Sequence, residues 1–367
     1  MKIVLRFLCI IILLFLLIFF FLPNFESFQS EKTDIDFVYT WVENNETFQN
    51  EILKYKPTDH HIPTAQYTDT EELKYSIRSI FKYAPWFHHI YIVVKDGQCP
   101  SWLNTNDPHI TLVQHSDIIP SNYLPTFNSI VIESYLHHIP QLSEKYIYFN
   151  DDIFLWKPVT PNDFFTQDGK CIHSVSSKIE TKPIQYDFAK NKMISKNPPL
   201  PYTFMTMIHW NATIIENYLH IPLKEQFVGL HIPLSNLKSV NFQLDSFLNS
   251  ISLNDNETLQ SITSKSRFRN NYNIARVSLF LKYFYLHLSK SQLENISFHK
   301  SEMIELSHLQ SQQHHIKKIF SGKYKFINLQ NNIEYNDPSA PQNGIPDMKL
   351  FFKKLSRKFP KKSQLEL

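Results

Sequence analysis

The chain has 367 residues, 43% hydrophobic and 14% aromatic, with a formal net charge of +3. That is enough apolar material for one elaborated domain or two joined lobes, and too little charge, too evenly spread, for a nucleic-acid binder. Only 5 glycines are present and no GxGxxG or GxxxxGK[ST] occurs, which excludes Gly-rich phosphate loops.

Residues 7–22 read FLCIIILLFLLIFFFL without a break. With Ile3, Val4 and Leu5 they approach the roughly 20 apolar residues that cross a bilayer. Lys2 and Arg6 precede this run and Glu26, Glu31, Asp34 and Asp36 follow it, which keeps the N-terminus cytoplasmic. A cleaved signal peptide competes, but Phe19 to Pro23 offers no small residues for cleavage. The expectation is a single-pass type II protein with a tail over 1–6, a transmembrane signal anchor over 7–22 and a stem over 23–34. The domain over 35–367 would lie in the lumen of the Golgi or another secretory-pathway compartment. Sequons at Asn45, Asn211, Asn256 and Asn295 agree mildly with a glycosylated lumenal chain. Cys99 and Cys171 are free to pair in such a lumen, although spacing alone does not decide it.

Asp36 to Val42 predicts a first buried strand. Thr68-Asp-Thr-Glu71 looks like a capping box, and Leu73, Ile77, Ile80 and Phe81 follow at helical spacing until Pro85. Strands are predicted over 89–94, 110–113 and 146–149, with a helix over 129–138. The order β-α-β-β-α-β suggests a mainly parallel sheet covered by helices. Residues 254–273 read as a polar surface excursion, 275–288 as a strong helix, and 348–358 as a last one.

The strand at Tyr146–Phe149 ends on Asp151 and Asp152. In open α/β sheets ligands bind beyond the carboxyl ends of the strands, where a carboxylate pair can hold a hard divalent cation and the cation a diphosphate. The plainer reading is an acidic turn that closes a strand. The doublets His60-His61, His88-His89, His137-His138 and His314-His315 are adjacent residues, which do not share a helix face, so they are discounted as metal sites.

The blocks Ile35-Asp36-Phe-Val-Tyr-Thr-Trp-Val42, Glu72-Leu-Lys-Tyr-Ser-Ile-Arg-Ser79, Tyr83-Ala-Pro-Trp86 and Asp96-Gly-Gln-Cys-Pro-Ser-Trp-Leu-Asn104 resemble the Stealth family. So do His115-Ser-Asp-Ile118, Leu124-Pro-Thr-Phe127, Ile132-Glu-Ser134, Asn150-Asp-Asp152, His231-Ile-Pro233 and Phe359-Pro-Lys-Lys-Ser-Gln-Leu-Glu366. That family contains N-acetylglucosamine-1-phosphotransferase and bacterial capsule hexose-1-phosphate transferases. The chain departs from its pattern at Leu234, where a second His is usual, and at Asn331, where an Asp is expected.

The resemblance implies a nucleotide-diphosphosugar-transferase-like (GT-A/Rossmann-like) α/β fold, with a nucleotide-sugar core over about 35–170 and a His/Arg-bearing part over 171–367. It implies transfer of N-acetylglucosamine 1-phosphate, or another hexose 1-phosphate, from a UDP-sugar to a hydroxyl of a mannose-containing or other glycan, with release of UMP. The alternatives are an ordinary glycosyltransferase releasing UDP and a non-catalytic glycan-binding relative. On this reading Asp151 and Asp152, with Asn332, hold Mg²⁺ or Mn²⁺, and one of the acids is alternatively the base. His231 is the candidate general base and Arg269 the phosphate ligand. Asp36 would lie near the nucleotide, Tyr39, Thr40 and Trp41 would pack against uracil, and Gln98, Trp102, Asn104 and Asn150 would shape the donor site. Arg78 would reach a phosphate or pair with Glu72 or Glu133.

Overall fold

The computed structural model describes residues 34–57, 67, 69–180, 186–187, 192–193, 204–223, 225–229, 231–270, 273–275, 280–288, 291–295, 301–305, 319–330, 344–360 and 365–367. The chain divides into units 1–34 and 35–367, and the fold below is that of the second.

The centre is a five-stranded sheet. Strands β1 (Ile35–Trp41), β2 (Ile90–Val94), β3 (Ile110–Gln114) and β4 (Lys145–Asn150) run parallel in the order β4-β1-β2-β3. The edge beyond β4 is closed by an antiparallel strand, β8 (Leu234–Leu237), in which Leu234 faces Tyr148. Phe37, Val38 and Tyr39 in β1, and every residue of β2, are buried. Near-continuous apolar runs are what a parallel sheet covered on both faces requires.

Helix α1 (Glu46–Tyr55) is capped by Asn45, whose side chain accepts from the Phe48 amide. Helix α2 (Glu72–Tyr83) packs against strand β5 (Ile153–Leu155), and two small residues allow the close approach. Ser76 Oγ donates to the Ile153 carbonyl, and Ser79 Oγ accepts from the Leu155 amide at 3.0 Å. The expected capping box does not start this helix. Thr68 lies outside the described residues, Glu71 is left-handed at φ 72, and the Asp69 carboxylate accepts from the Glu71 amide at 2.9 Å.

Helix α3 (Ser129–Glu133) is shorter than predicted and passes into a 3-10 turn at Leu136–His138. Strand β6 (Cys171–Glu180) pairs with β7 (Glu225–Gly229) and β9 (Ser291–Asn295), while β5, β11 (Phe326–Gln330) and β10 (Ser301–Glu305) form a third sheet. The longer helices that follow are α4 (Phe204–Leu219), α5 (Lys238–Ser250), α6 (Leu259–Ser264), α7 (Leu281–His287) and α8 (Gly344–Lys358).

Four expectations are corrected here. The membrane anchor is not found. No described helix is long and apolar enough to cross a membrane, α4 and α8 having 16 and 15 residues, and residues 7–22 lie outside the described residues. The membrane as a partner, the type II topology and the Golgi or secretory location rested on that helix, and no described helix supports them. Among the sequons, Asn211 is fully buried and committed to hydrogen bonds with Met207 O, Asn273 O and the Ala275 amide, so it accepts no glycan in the folded chain. Cys99 and Cys171 do not pair, the first being exposed and the second buried. The 254–273 stretch is also no mere surface excursion, because it carries α6, with Leu259, Thr263 and Ser264 buried.

Candidate active site

Asp151 and Asp152 occupy the two-residue turn between β4 and β5, beyond the carboxyl ends of the parallel strands. The antiparallel β11 fixes that turn. Leu329 N and Asn328 Nδ2 both donate to the Asp152 carbonyl, at 2.8 and 3.3 Å. The start of α2 adds Glu72, held by the Thr70 amide at 2.6 Å and by the Thr70 hydroxyl, and Asp69 lies just before it. Four carboxylates therefore crowd one end of the sheet.

Burial, then repulsion from Asp152, Glu72 and Asp69, pushes Asp151 well above the usual carboxylate range. Burial raises Asp152 too, with His231 and Asn328 pulling it back. Burial lifts Glu72 to about 8 and raises Asp69. Asp152 Oδ1 is buried and has no hydrogen-bond partner in the described structure. Two adjacent carboxylates, one with an unused lone-pair site, suit a hard divalent cation that keeps waters as its other ligands, so Asp151 and Asp152 fit Mg²⁺ or Mn²⁺.

His231 is exposed, three residues before β8, and its charge is felt at Asp152. Arg269, on the loop after α6, donates through Nη2 to Ser129 Oγ at 2.7 Å, and its charge is felt at Glu133 and Tyr67. Burial pushes Glu133 up to about 7 despite Arg269 and the Tyr148 hydroxyl. Tyr148 links the two halves of the site. Its hydroxyl lies 3.4 Å from Glu133 Oε1 and 2.9 Å from Thr40 Oγ1, and Asp151 and Asp152 both disfavour its ionisation. Asn128 holds the Arg269 loop in place. Its amide donates to Ser266 O, Phe268 O and Asn273 Oδ1 while its oxygen accepts from the Ile130 amide.

The structure thus brings Asp151, Asp152, His231, Arg269, Thr40 and Asn150 to one end of the sheet, with Thr40 and Asn150 in register. Tyr39 sits below them, buried against Ser76 at 2.8 Å, so its ring is core rather than a uracil platform. Trp41 is buried, and its indole lies beside Asp69 without a hydrogen bond of ordinary geometry.

Asp36 lies at the opposite end of β1, roughly 13 Å from Thr40 at strand spacing, and serves the fold. It accepts from the Ser143 amide at 2.6 Å and pairs with His88 at 2.7 Å. Arg78 makes neither expected pairing. It forms a two-pronged ion pair with Glu366 and donates to the Phe359 carbonyl. Gln98 brackets the Glu43 backbone, Asn104 N donates to Leu365 O at 2.6 Å, and Trp102 O accepts from Leu367 N. These three order the loop after β2 and its contact with residues 365–367. Asn331 and Asn332 lie outside the described residues.

Sequence reasoning missed Asp69 and Asn128 and undervalued Glu72 and Glu133. The signal was present for the acids, since Glu72 and Glu133 stand inside the matched blocks. His137 and His138, discounted on helical spacing, form with Asp245 a cluster that can coordinate a divalent ion.

The site is that of an α/β protein with four carboxylates gathered at one end of the sheet beside a histidine and an arginine. The model of Stealth protein conserved region 2 matches residues 66–173. An exopolysaccharide phosphotransferase, cps2G of Lactiplantibacillus plantarum, is 32% identical over 262 residues, covering 67% of this chain and 74% of that one. Capsular polysaccharide phosphotransferase LcbA of Aeromonas hydrophila is 44% identical over 143 residues, 37% of this chain and 39% of its own. Exopolysaccharide phosphotransferase SCO6023 of Streptomyces coelicolor is 46% identical over 139 residues, 37% of this chain and 24% of its own. The chain belongs to the Stealth family of phosphotransferases. Among solved structures, galactosyltransferase LgtC with donor and acceptor sugar analogues is a distant likeness, with TM-score 0.38 and 9% identity over 87% of this chain and 95% of that one.

Proposed function

We propose that this protein transfers a hexose 1-phosphate, N-acetylglucosamine 1-phosphate in the first instance, from a UDP-sugar to a sugar hydroxyl of a glycan, releasing UMP. The observation that carries this reading is the crowding of Asp69, Glu72, Asp151 and Asp152 beyond the sheet, with His231 close enough to steady Asp152. Four carboxylates at this spacing cost stability as they stand, which argues for a cation and a diphosphate as their partners.

Asp151 and Asp152 would hold Mg²⁺ or Mn²⁺, with Asp69 and Glu72 adding charge behind them. Bound there, the ion neutralises phosphate charge. His231 takes the proton of the acceptor hydroxyl, which its exposed position allows. The acceptor oxygen attacks the β-phosphorus, the bond from phosphorus to the UMP oxygen breaks, and the sugar C1–O bond is kept. Arg269 binds a phosphate oxygen as charge moves onto the leaving group. Glu133 lies near enough to feel the Arg269 charge, Ser129 anchors the guanidinium, and Asn128 holds its loop. Asp151→Asn and Asp152→Asn should each lose most turnover and divalent-ion dependence while staying folded. Full activity under thorough chelation would remove the metal from this scheme.

A further inference from the structure

We infer that His137, His138 and Asp245 form a second metal site, one that takes a borderline transition ion such as Zn²⁺ and clips the turn after α3 to helix α5. It shares no residue with the acid cluster. His137 Nε2 and His138 Nε2 converge on the same atom, Asp245 Oδ2, at 2.8 and 3.1 Å. The three donor atoms all lie within 4.8 Å of one another, and no other such triad of His, Cys, Asp or Glu occurs among the described residues. In a tetrahedral zinc site with bonds of about 2.0–2.1 Å, neighbouring ligand atoms stand roughly 3.4 Å apart, so small side-chain shifts admit the ion.

Adjacent histidines reach one point because the chain there is a 3-10 turn, Leu136–His138, and α5 lies across it. The ring of Phe242, from α5, packs edge-on against both imidazoles, with centroids 4.7 and 5.1 Å away, and limits their rotation. His137 is fully buried, while His138 is 35% exposed, which leaves a way in and room for a water as fourth ligand. Two imidazoles and one carboxylate favour Zn²⁺, Co²⁺ or Ni²⁺ over Mg²⁺, which prefers oxygen ligands.

The location points to a structural role. Lys238, the first residue of α5, donates to the carbonyls of Ile139, Pro140 and Leu142, and its amide donates to Glu144 O. These contacts gather at the amino end of β4, opposite the acid cluster. An ion at His137, His138 and Asp245 would add a further tie between the same two segments.

The test uses the full chain, dialysed against Zn²⁺ or Co²⁺ with excess Mg²⁺ present, and compares metal content by mass spectrometry. Wild type should retain one more Zn²⁺ or Co²⁺ per chain than His138→Ala or Asp245→Ala, and Asp151→Asn should retain as many Zn²⁺ or Co²⁺ ions as wild type. The Co²⁺ form should show a four-coordinate ligand-field band that His138→Ala lacks. Zn²⁺ should raise the Tm of wild type and not that of His138→Ala, whose half-buried side chain is less needed for folding than that of fully buried His137. Equal metal content in wild type and both variants, or a Co²⁺ spectrum unchanged by His138→Ala, would overturn the inference and leave a hydrogen-bonded His–Asp–His cluster.

Discussion

Removing the Arg78 side chain separates a structural role from a phosphate-binding one. Arg78 Nε and Nη2 meet the two Glu366 oxygens at 2.7 and 2.6 Å, and the two side chains are 11% and 3% exposed. A third bond, 3.1 Å long, runs to the Phe359 carbonyl. Arg78→Ala takes the guanidinium away from a buried carboxylate, which costs about 3–5 kcal/mol, and the lost carbonyl bond adds about 1 kcal/mol. Glu366→Gln keeps the shape and one acceptor and should cost about 1–3 kcal/mol. Because the two residues act as one unit, Arg78→Ala with Glu366→Ala should cost less than the sum of the single changes by about 2 kcal/mol or more. Urea unfolding of the full chain measures these values, and turnover of the folded fraction is measured beside it. Stability within about 0.5 kcal/mol of wild type in Arg78→Ala, together with a turnover loss above about 100-fold, would refute the reasoning and return this arginine to the substrate.

Further expectations follow from the site. The folded-state pKa values of Asp151, Asp152 and Glu72 lie above their unfolded values, so the metal-free chain binds more protons folded than unfolded. Their contribution to stability is present below the unfolded carboxylate range and is lost as pH rises through the folded values, up to about 8 for Glu72. In chelator, the Tm of wild type relative to Asp151→Asn should fall from pH 5 to pH 8, and a flat difference would contradict this. His231→Ala should lower kcat by about 10²–10⁴-fold with little change in Tm, and near-normal kcat would remove the general base. Asn128→Ala deletes four hydrogen bonds around the Arg269 loop and should cost about 2–4 kcal/mol with a fall in kcat, while an unchanged urea midpoint would show that the loop is held by something else.

The parallel sheet was legible because β1, β2 and β4 are almost wholly buried and read as apolar runs bounded by turn residues, from Asp36–Val42 to Tyr146–Phe149. The acid pair was legible for the same reason, since a strand followed by two carboxylates has few other places to put them. What stayed hidden depends on long-range contacts. Arg78 stands inside a helical block that resembles the family's, and nothing local says that its partner is Glu366, 288 positions away. Asp36 looks like a strand-leading acid of the kind that meets nucleotides, yet strand direction places it at the wrong end. Residues 254–273 are polar in composition because Gln260, Thr263, Ser264 and Asn273 spend their hydrogen bonds inside the protein. The His137–His138 pair was dismissed on α-helical geometry, which does not apply in a 3-10 turn crossed by another helix.

The most direct test of the central claim is the identity of the nucleotide released. The full chain would be given UDP-N-acetylglucosamine, Mg²⁺ or Mn²⁺ and α-methyl mannoside, and the products separated by anion exchange. The account predicts UMP together with a phosphodiester-linked sugar, both lost in Asp152→Asn. UDP with a simple glycoside would contradict it, because the acceptor oxygen would then have attacked carbon instead of phosphorus.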